Sequence, residues 1–272
     1  MVIADILKKL SEELSSRREA ELLLSDILNI PIPELIFKKN QSVAPEISEK
    51  FDDCILRRKS GEPIQYITGN TEFMSLPFKV TPNVLIPRSD TETLVELLIE
   101  KIGDKNFSLL DIGTGSGCIA ISLLKYCKNL KASALDISDG ALSVAKENAK
   151  LNDVSERIEF CCLDILKDTP LNKFDCIVSN PPYIRPDVIA TLDSEVKDFE
   201  PYSALYGGED GLLFYRRICD IAPNILNKNG ILAFEIGYDQ GDAVKELMSR
   251  KFYNVEVIRD LCGNDRVVTG NI

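Results

Sequence analysis

Histidine is absent from the 272 residues, which removes the side chain best suited to proton transfer near neutrality and the commonest transition-metal ligand. Hydrolases built on a Ser-His-Asp triad and histidine-ligated zinc enzymes are thereby excluded. No apolar run approaches the ~20 residues of a membrane span. The opening MVIADILKKLSEELSS also lacks the basic flank, apolar block and small-residue cleavage site of a secretory signal. A cytoplasmic protein with no membrane partner is expected. The eight cysteines form no CxxC pair, and Cys118, Cys161, Cys162 and Cys176 sit in apolar runs. That is the pattern of reduced thiols packed in a core, and all eight are expected there. Positive charge is short as well: 32 Lys+Arg stand against 43 Asp+Glu, a net charge of -11. The deficit is spread over the chain, 11 against 13 in residues 1–85 and 21 against 30 in residues 86–272. Neither part offers the basic surface with which a protein grips free nucleic acid.

What remains is an ordinary globular composition, 44% hydrophobic and 28% charged with 15 Gly and 13 Pro. At one domain per roughly 150 residues, the length suits one large domain or two unequal ones. Ile3, Leu7, Leu10 and Leu14, then Ala20, Leu23, Leu24 and Ile27, repeat at helical spacing. Pro31, Pro33 and Pro45 punctuate the next stretch, and Ile47, Phe51 and Ile55 mark a further helix ending near Gly61. Residues 1–65 are thus expected to form a small helical bundle. Residues 66–88 lie in a stretch rich in β-branched and aromatic residues around Gly69-Asn70 and Pro77, which predicts a β-hairpin connector. From residue 89 to 272 the pattern alternates. Apolar runs at 108–112, 131–136, 157–162, 174–179 and 230–235 are separated by helical segments such as 138–151 and 211–226. Alternation of this kind means an α/β fold with a parallel sheet covered on both faces. The segments 254–260 and 266–270 are joined too closely for a parallel crossover and are expected to pair antiparallel.

In LLDIGTGSGCIAISLL an apolar strand runs straight into Gly113, Gly115 and Gly117, with helix formers after them. Glycines there permit a tight turn and let backbone N–H groups approach a ligand. The third glycine of a dinucleotide fingerprint would fall at Cys118, so the spacing is GxGxG instead. Asp136, at the end of the next apolar strand, is placed to accept both hydroxyls of a ribose. A bare glycine turn is often only a connection; paired with Asp136 it reads as a nucleoside site. Asp164, after IEFCCL, either meets an adenine amino group or caps a helix.

Asn180-Pro181-Pro182-Tyr183 follows the strand FDCIVS, at the carboxyl end of a strand, where open α/β sheets place their ligands. Two prolines can merely stop a strand, but they also fix φ and remove both N–H groups, leaving carbonyl acceptors at the rim. The Asn180 side-chain oxygen and the Pro181 carbonyl can take the two hydrogens of a planar NH2, with Tyr183 stacked on its face. An amide nitrogen so held, in line with an electrophilic methyl, gains up to ~7 to 11 kcal/mol from positioning and requires no prior base. A carboxylate in its place would bring no hydrogens and should be rejected by about 10⁴-fold.

These motifs, with RREAELLLSDIL, EPIQYITGNTEFMSLPFKVTPNVLIPRSDTETLVE, FEPYSAL, FEIGYDQG and DLCGNDRVVTG, resemble the peptide chain release factor glutamine methyltransferases (the PrmC, or HemK, family) over nearly the whole length. The resemblance implies a Rossmann-like, seven-stranded class I methyltransferase sheet preceded by an N-terminal helical bundle that docks the substrate. It implies S-adenosylmethionine as cofactor, S-adenosylhomocysteine as product, no metal, and class-one release factors as partners, methylated at the glutamine of Gly-Gly-Gln. A monomer is expected. By motif position Gly113, Thr114, Gly115, Ser116 and Gly117 hold the methionine moiety, Asp136 the ribose and Ile165 the adenine face. Asn180, Pro181, Pro182 and Tyr183 hold the glutamine, and Phe73 is similar to an aromatic that closes over it, or else is connector packing. Two departures from the family pattern are Ile165, where many relatives have an aromatic, and Ser89 in Arg88-Ser89-Asp90-Thr91-Glu92. Arg88 and Glu92 either orient the connector against the cleft or pair across a helix N-terminus. Two rivals remain open: an exocyclic amino methylase acting on adenine in DNA or RNA, and a module that binds S-adenosylmethionine without catalysis.

Overall fold

The computed structural model describes residues 1–44 and 46–272, so Pro45 lies outside the described residues. Two compact units result: Met1–Asn70 with Asp193–Phe199, and Thr71–Leu192 with Glu200–Ile272. In the first, α1 (Ile3–Leu14) and α2 (Arg17–Leu28) are followed by α3 (Ile32–Leu35), α4 (Glu46–Lys59) and α5 (Ile64–Thr68). Ile3, Ile6 and Leu10 of α1 meet Ala20 and Leu24 of α2 and Phe51 and Ile55 of α4 in one apolar core. Ser16 starts α2 by accepting the Glu19 backbone N–H at 3.2 Å, a capping arrangement typical of Ser and Glu three residues apart.

α5 departs from expectation. Its sequence IQYIT is rich in strand formers, yet it is helical. Pro63 sets an extended entry, Gly69 ends the helix with φ 73°, and Ile64 and Tyr66 are buried; burial and caps override a weak strand preference. The hairpin proper is β1 (Asn70–Phe73) with β2 (Leu76–Lys79). Its two-residue turn is Met74-Ser75, with φ of 52° and 56°, the paired left-handed geometry that matches strand twist.

In the second unit α6 (Glu92–Ile102) precedes β3 (Ser108–Ile112), α7 (Cys118–Tyr126), β4 (Lys131–Asp136), α8 (Asp139–Leu151), β5 (Ile158–Cys162) and β6 (Phe174–Ser179). Short helices α9 (Pro186–Ile189), α10 (Ser194–Lys197) and α11 (Tyr202–Leu205) come next, α10 falling within the first unit. Then follow α12 (Leu213–Ile225), β7 (Leu226–Glu235), α13 (Gly241–Ser249), β8 (Tyr253–Arg259) and β9 (Asp265–Asn271). The seven-stranded sheet has the order β5-β4-β3-β6-β7-β9-β8. Its pairings are parallel except those of β9, which runs antiparallel to both β7 and β8. Apolar side chains cover both faces of the sheet, Leu109, Cys176 and Ala233 in one core and Leu110, Ile177 and Leu232 in the other. The seven-stranded α/β architecture and its antiparallel tail are those expected.

The chain winds outward through β3, β4 and β5, then returns to lay β6 on the other side of β3. At such a reversal the loops leaving the two central strands diverge and open a crevice beyond their carboxyl ends. One expectation fails here: Cys161 and Cys162 are exposed, not packed. They lie on β5, an edge strand whose last residues are covered on neither face. Cys262, in the β8–β9 turn, is exposed too.

Candidate active site

The loops closing β3 and β6 share a cleft of about 330 Å³, lined by Gly113–Ser116, Asp136, Asp164, Ile165 and Asn180–Pro182 among others. That volume is within the range of small-molecule sites. Gly113, Gly115 and Gly117 have φ of 73°, 55° and 82°, which non-glycine residues rarely adopt. A Cβ at Gly113 or Gly115 would meet nothing within 4 Å, so the backbone there faces open space. At Gly117 it would lie 2.7 Å from Ile121 and 3.2 Å from Ala145, so this glycine lets α7 approach α8.

Asp136 braces the turn: its Oδ2 accepts the Gly115 N–H and its Oδ1 the Ser138 N–H, both at 2.9 Å. Each oxygen keeps a lone pair for a further donor. Asp164 Oδ1 accepts the Leu166 N–H at 3.0 Å and pairs with Lys167 at 2.8 Å. The local turn therefore uses this carboxylate while leaving it in the cleft lining. Ile165 is buried at the cleft wall. Beneath the glycines Asp111 is fully buried; Thr114 donates to its Oδ2 at 2.7 Å, but Oδ1 has no partner. Burial, opposed by the Thr114 hydrogen bond, pushes its carboxyl up to about 7.

Asn180 and Pro181 follow directly on β6 and line the same cleft. Asn180 Nδ2 donates to Thr91 Oγ1 at 3.3 Å, which turns its side-chain oxygen away from that partner. The following loop is clamped from behind. Gln240 Nε2 donates to the Tyr183 carbonyl at 3.2 Å, and the Gly207 N–H donates to the Ile184 carbonyl at 2.9 Å. Tyr183 is half-buried against the core around Tyr215 and Phe234 and is not part of the cleft lining. Burial, with the Glu235 charge adding, pushes its phenol above the ordinary range.

Phe73 is not brought to the cleft: it is 1% exposed and packs edge-to-face on Phe78, with centroids 6.1 Å apart. Arg88 and Glu92 have separate partners. Arg88 lines the cleft and is paired with the buried Glu200, whereas Glu92 Oε1 accepts the Met74 N–H at 2.6 Å and holds the hairpin turn. Three supporting residues escape sequence reading. Thr91, itself in the cleft lining, accepts from Asn180, Glu235 stands beside Asn180 at the end of the neighbouring strand, and buried Asn148 of α8 donates to the Ser116 carbonyl at 2.9 Å while bonding both backbone groups of Lys79. Only the asparagine's burial on α8 could have hinted at such a role. Among the described residues no cluster of three or more Cys, Asp or Glu is placed to hold a metal ion, and no helix is long and apolar enough to cross a membrane.

A doubly wound seven-stranded sheet with a glycine turn and Asn180–Pro182 lining one cleft beyond its switch point defines a class I methyltransferase, and residues 88–193 match the family model of the methyltransferase small domain. Residues 2–69 match that of the PrmC N-terminal domain. The release factor glutamine methyltransferase of Moorella thermoacetica is 43% identical over 92% of this chain and 89% of its own length. That of Clostridium botulinum is 41% identical over 97% and 94%. The crystal structure of a methyltransferase from Pyrococcus furiosus shares the fold, with TM-score 0.55 and 19% identity over 73% of this chain and 90% of that one. The chain belongs to the release factor glutamine methyltransferase family.

Proposed function

We propose that this enzyme transfers a methyl group from S-adenosylmethionine to the side-chain amide nitrogen of the glutamine in the Gly-Gly-Gln tripeptide of class-one release factors, and so modulates translation termination. The observation that carries this reading is that Asn180 and Pro181 line the same cleft as the glycine turn and Asp136. The residues present suit the cofactor. Open space above Gly113 and Gly115 accommodates a methionine moiety against bare backbone, Asp136 retains acceptors for ribose hydroxyls, and Ile165 offers an apolar wall to adenine. When bound, S-adenosylmethionine supplies a sulfonium methyl, an electrophile that needs no metal.

The protein's own part is positional. The Asn180 side-chain oxygen and the Pro181 carbonyl accept the two amide hydrogens, aligning the nitrogen with the methyl. As positive charge grows on nitrogen these acceptors bind more strongly, which is selective stabilisation of the transition state. The N–C bond forms as the S–C bond breaks, leaving S-adenosylhomocysteine as a neutral thioether, and the methylated amide then loses its extra proton to water; Pro182 keeps its own competing N–H out of the rim. Tyr183 acts by fixing the loop rather than by stacking, given its half-buried place in the core. A nucleobase amine presents the same two hydrogens, but a net charge of -11 disfavours a polyanionic substrate. We further propose that residues 1–65 dock the release factor, with 66–88 as connector and 89–272 as the catalytic domain, and that the enzyme works as a cytoplasmic monomer without metal or free nucleic acid.

The test is radiolabelled methyl transfer to a purified release factor and to its Gly-Gly-Gln→Gly-Gly-Glu variant. Label should appear on the first alone, and equal labelling of both refutes the assignment. Asn180→Ala should lower turnover much more than cofactor affinity.

A further inference from the structure

Resting on that reading of the cleft, we infer that Glu235 is a positioning residue which, through Thr91, fixes the amide of Asn180 in the one orientation that can receive the substrate. The need for such a residue follows from the shape of a carboxamide. Rotating the Asn180 side chain by half a turn exchanges oxygen and NH2 with almost no change in volume. In one orientation the cleft meets an acceptor; in the other, a donor faces the hydrogens of the incoming glutamine. Asn180 Nδ2 donates to Thr91 Oγ1 at 3.3 Å, which selects the first orientation only while the hydroxyl acts as acceptor. A hydroxyl can equally donate, and Thr91 alone does not decide.

Glu235 removes the ambiguity. The parallel register Ser179↔Phe234 carries Asn180 and Glu235 forward side by side from β6 and β7. Glu235 is 2% exposed, and its Oε2 is a buried acceptor with no partner. Hydrogen bonding from Thr91 and from Asn180 both favour its ionised form. An ionised carboxylate beside these two groups can only accept, so it favours a Thr91 hydroxyl that points its hydrogen at Glu235 and its lone pair at the Asn180 N–H, and it favours the Asn180 orientation whose NH2 faces Glu235. A buried ionised carboxyl is costly to keep. Arg266, 3.0 Å from Asp90 and 3.1 Å from Asp260, lends positive charge against that cost, and Asp90 offsets part of it. No other assigned role accounts for a carboxylate at this point.

Three variants test the inference: Glu235→Gln, which can put a donor where an acceptor stood, Thr91→Val, and the two combined. Each single variant should lower kcat about 10- to 100-fold, while KM for the release factor and affinity for S-adenosylhomocysteine stay within about threefold. The double variant should be no worse than the worse single, because the two residues act in series. A pH profile gives a readout that mere structural support would not move. Burial, opposed first by the Thr91 hydrogen bond and then by Arg266, pushes Glu235 up to about 7. The charged groups around it are Asp90 and Arg266, with the Tyr183, Tyr215 and Cys118 side chains also within its field. The ionised form is the competent one, so wild-type kcat should be full above that value and fall as pH drops through it. Asp111 titrates in the same range, and Glu235→Gln separates the two by flattening only the Glu235 limb.

Wild-type-like kcat in both single variants at every pH, beside an inactive Asn180→Ala, overturns the inference and leaves the proposed function standing. Wild-type enzyme that transfers no methyl to the glutamine overturns the reading of the site and this inference with it. If Glu235→Gln does not fold, Thr91→Val carries the same expectation: a loss in kcat without a loss in cofactor affinity upholds it, and unchanged kcat overturns it.

Discussion

Gly207→Ala tests the rim by displacing its backbone without altering any side chain that meets substrate. Gly207 has no positive φ, so alanine is compatible with its backbone and the effect of the substitution is steric alone. Its Cβ would lie 2.5 Å from the Tyr183 Cα, 2.6 Å from the Tyr183 carbonyl carbon and 2.9 Å from the Pro182 oxygen, all backbone atoms. Ordinary contact begins near 3.4 Å. The Pro-Pro-Tyr loop must therefore retreat by about 1 Å, a misplacement that costs reacting geometry about 100-fold. The overpacking itself should cost about 1 to 3 kcal/mol of stability. The glycine turn and Asp136 are not among the atoms the new Cβ would meet, so cofactor affinity should hold. Single-turnover methyl transfer gives the rate, calorimetric titration with S-adenosylhomocysteine gives the affinity, and urea unfolding confirms the folded state. A folded variant that turns over within about twofold of wild type would refute the claim that the rim's placement governs the rate.

Asp136→Asn replaces an acceptor of two backbone N–H groups and leaves ribose hydroxyls short of a partner. S-adenosylhomocysteine should bind about 10- to 100-fold more weakly by calorimetry, with kcat at saturation less affected. Phe73→Leu should cost about 1 to 2 kcal/mol in urea unfolding and leave KM for the release factor unchanged, as suits a side chain 1% exposed. A raised KM without loss of stability would return Phe73 to the substrate. Burial raises Asp111 from the usual carboxylate value of 3.8 to about 7, so folding takes up a proton between those values and stability falls as pH rises through them. Asp111→Asn should shrink the difference in stability between pH 5 and pH 8, leaving the share due to Glu235, which titrates in the same sense. A variant that keeps the whole difference would contradict the assignment.

Much of the architecture could be read from residue order because the relevant signals are local. Alternating apolar runs gave the parallel strands, and the short LCGND link made the β8–β9 pair antiparallel by length alone. Gly113, Gly115, Asp136, Asn180 and Pro181 each end or follow a strand, so periodicity was enough to bring them to one end of the sheet, and they line one cleft. What escaped depends on neighbours distant in sequence. IQYIT becomes a helix because of its caps and burial, Met74-Ser75 turns left-handed without a glycine, and Cys161 and Cys162 are uncovered because β5 is an edge. The approach of Thr91, Asn180 and Glu235 unites three segments that carry no shared motif.

The β9 strand has a bearing on assembly. It takes the inner berth between β7 and β8, although β8 precedes it in the chain. β8 has no seat on the sheet until its successor is in place, so it joins either with β9 as a ribbon or after it, never before. Amide hydrogens of β9 should then be among the last in the ribbon to exchange with solvent, those on the free edge of β8 among the first. Since β9 also supplies Arg266, the ion pairs of that residue with Asp90 and Asp260 form only when the ribbon is in place.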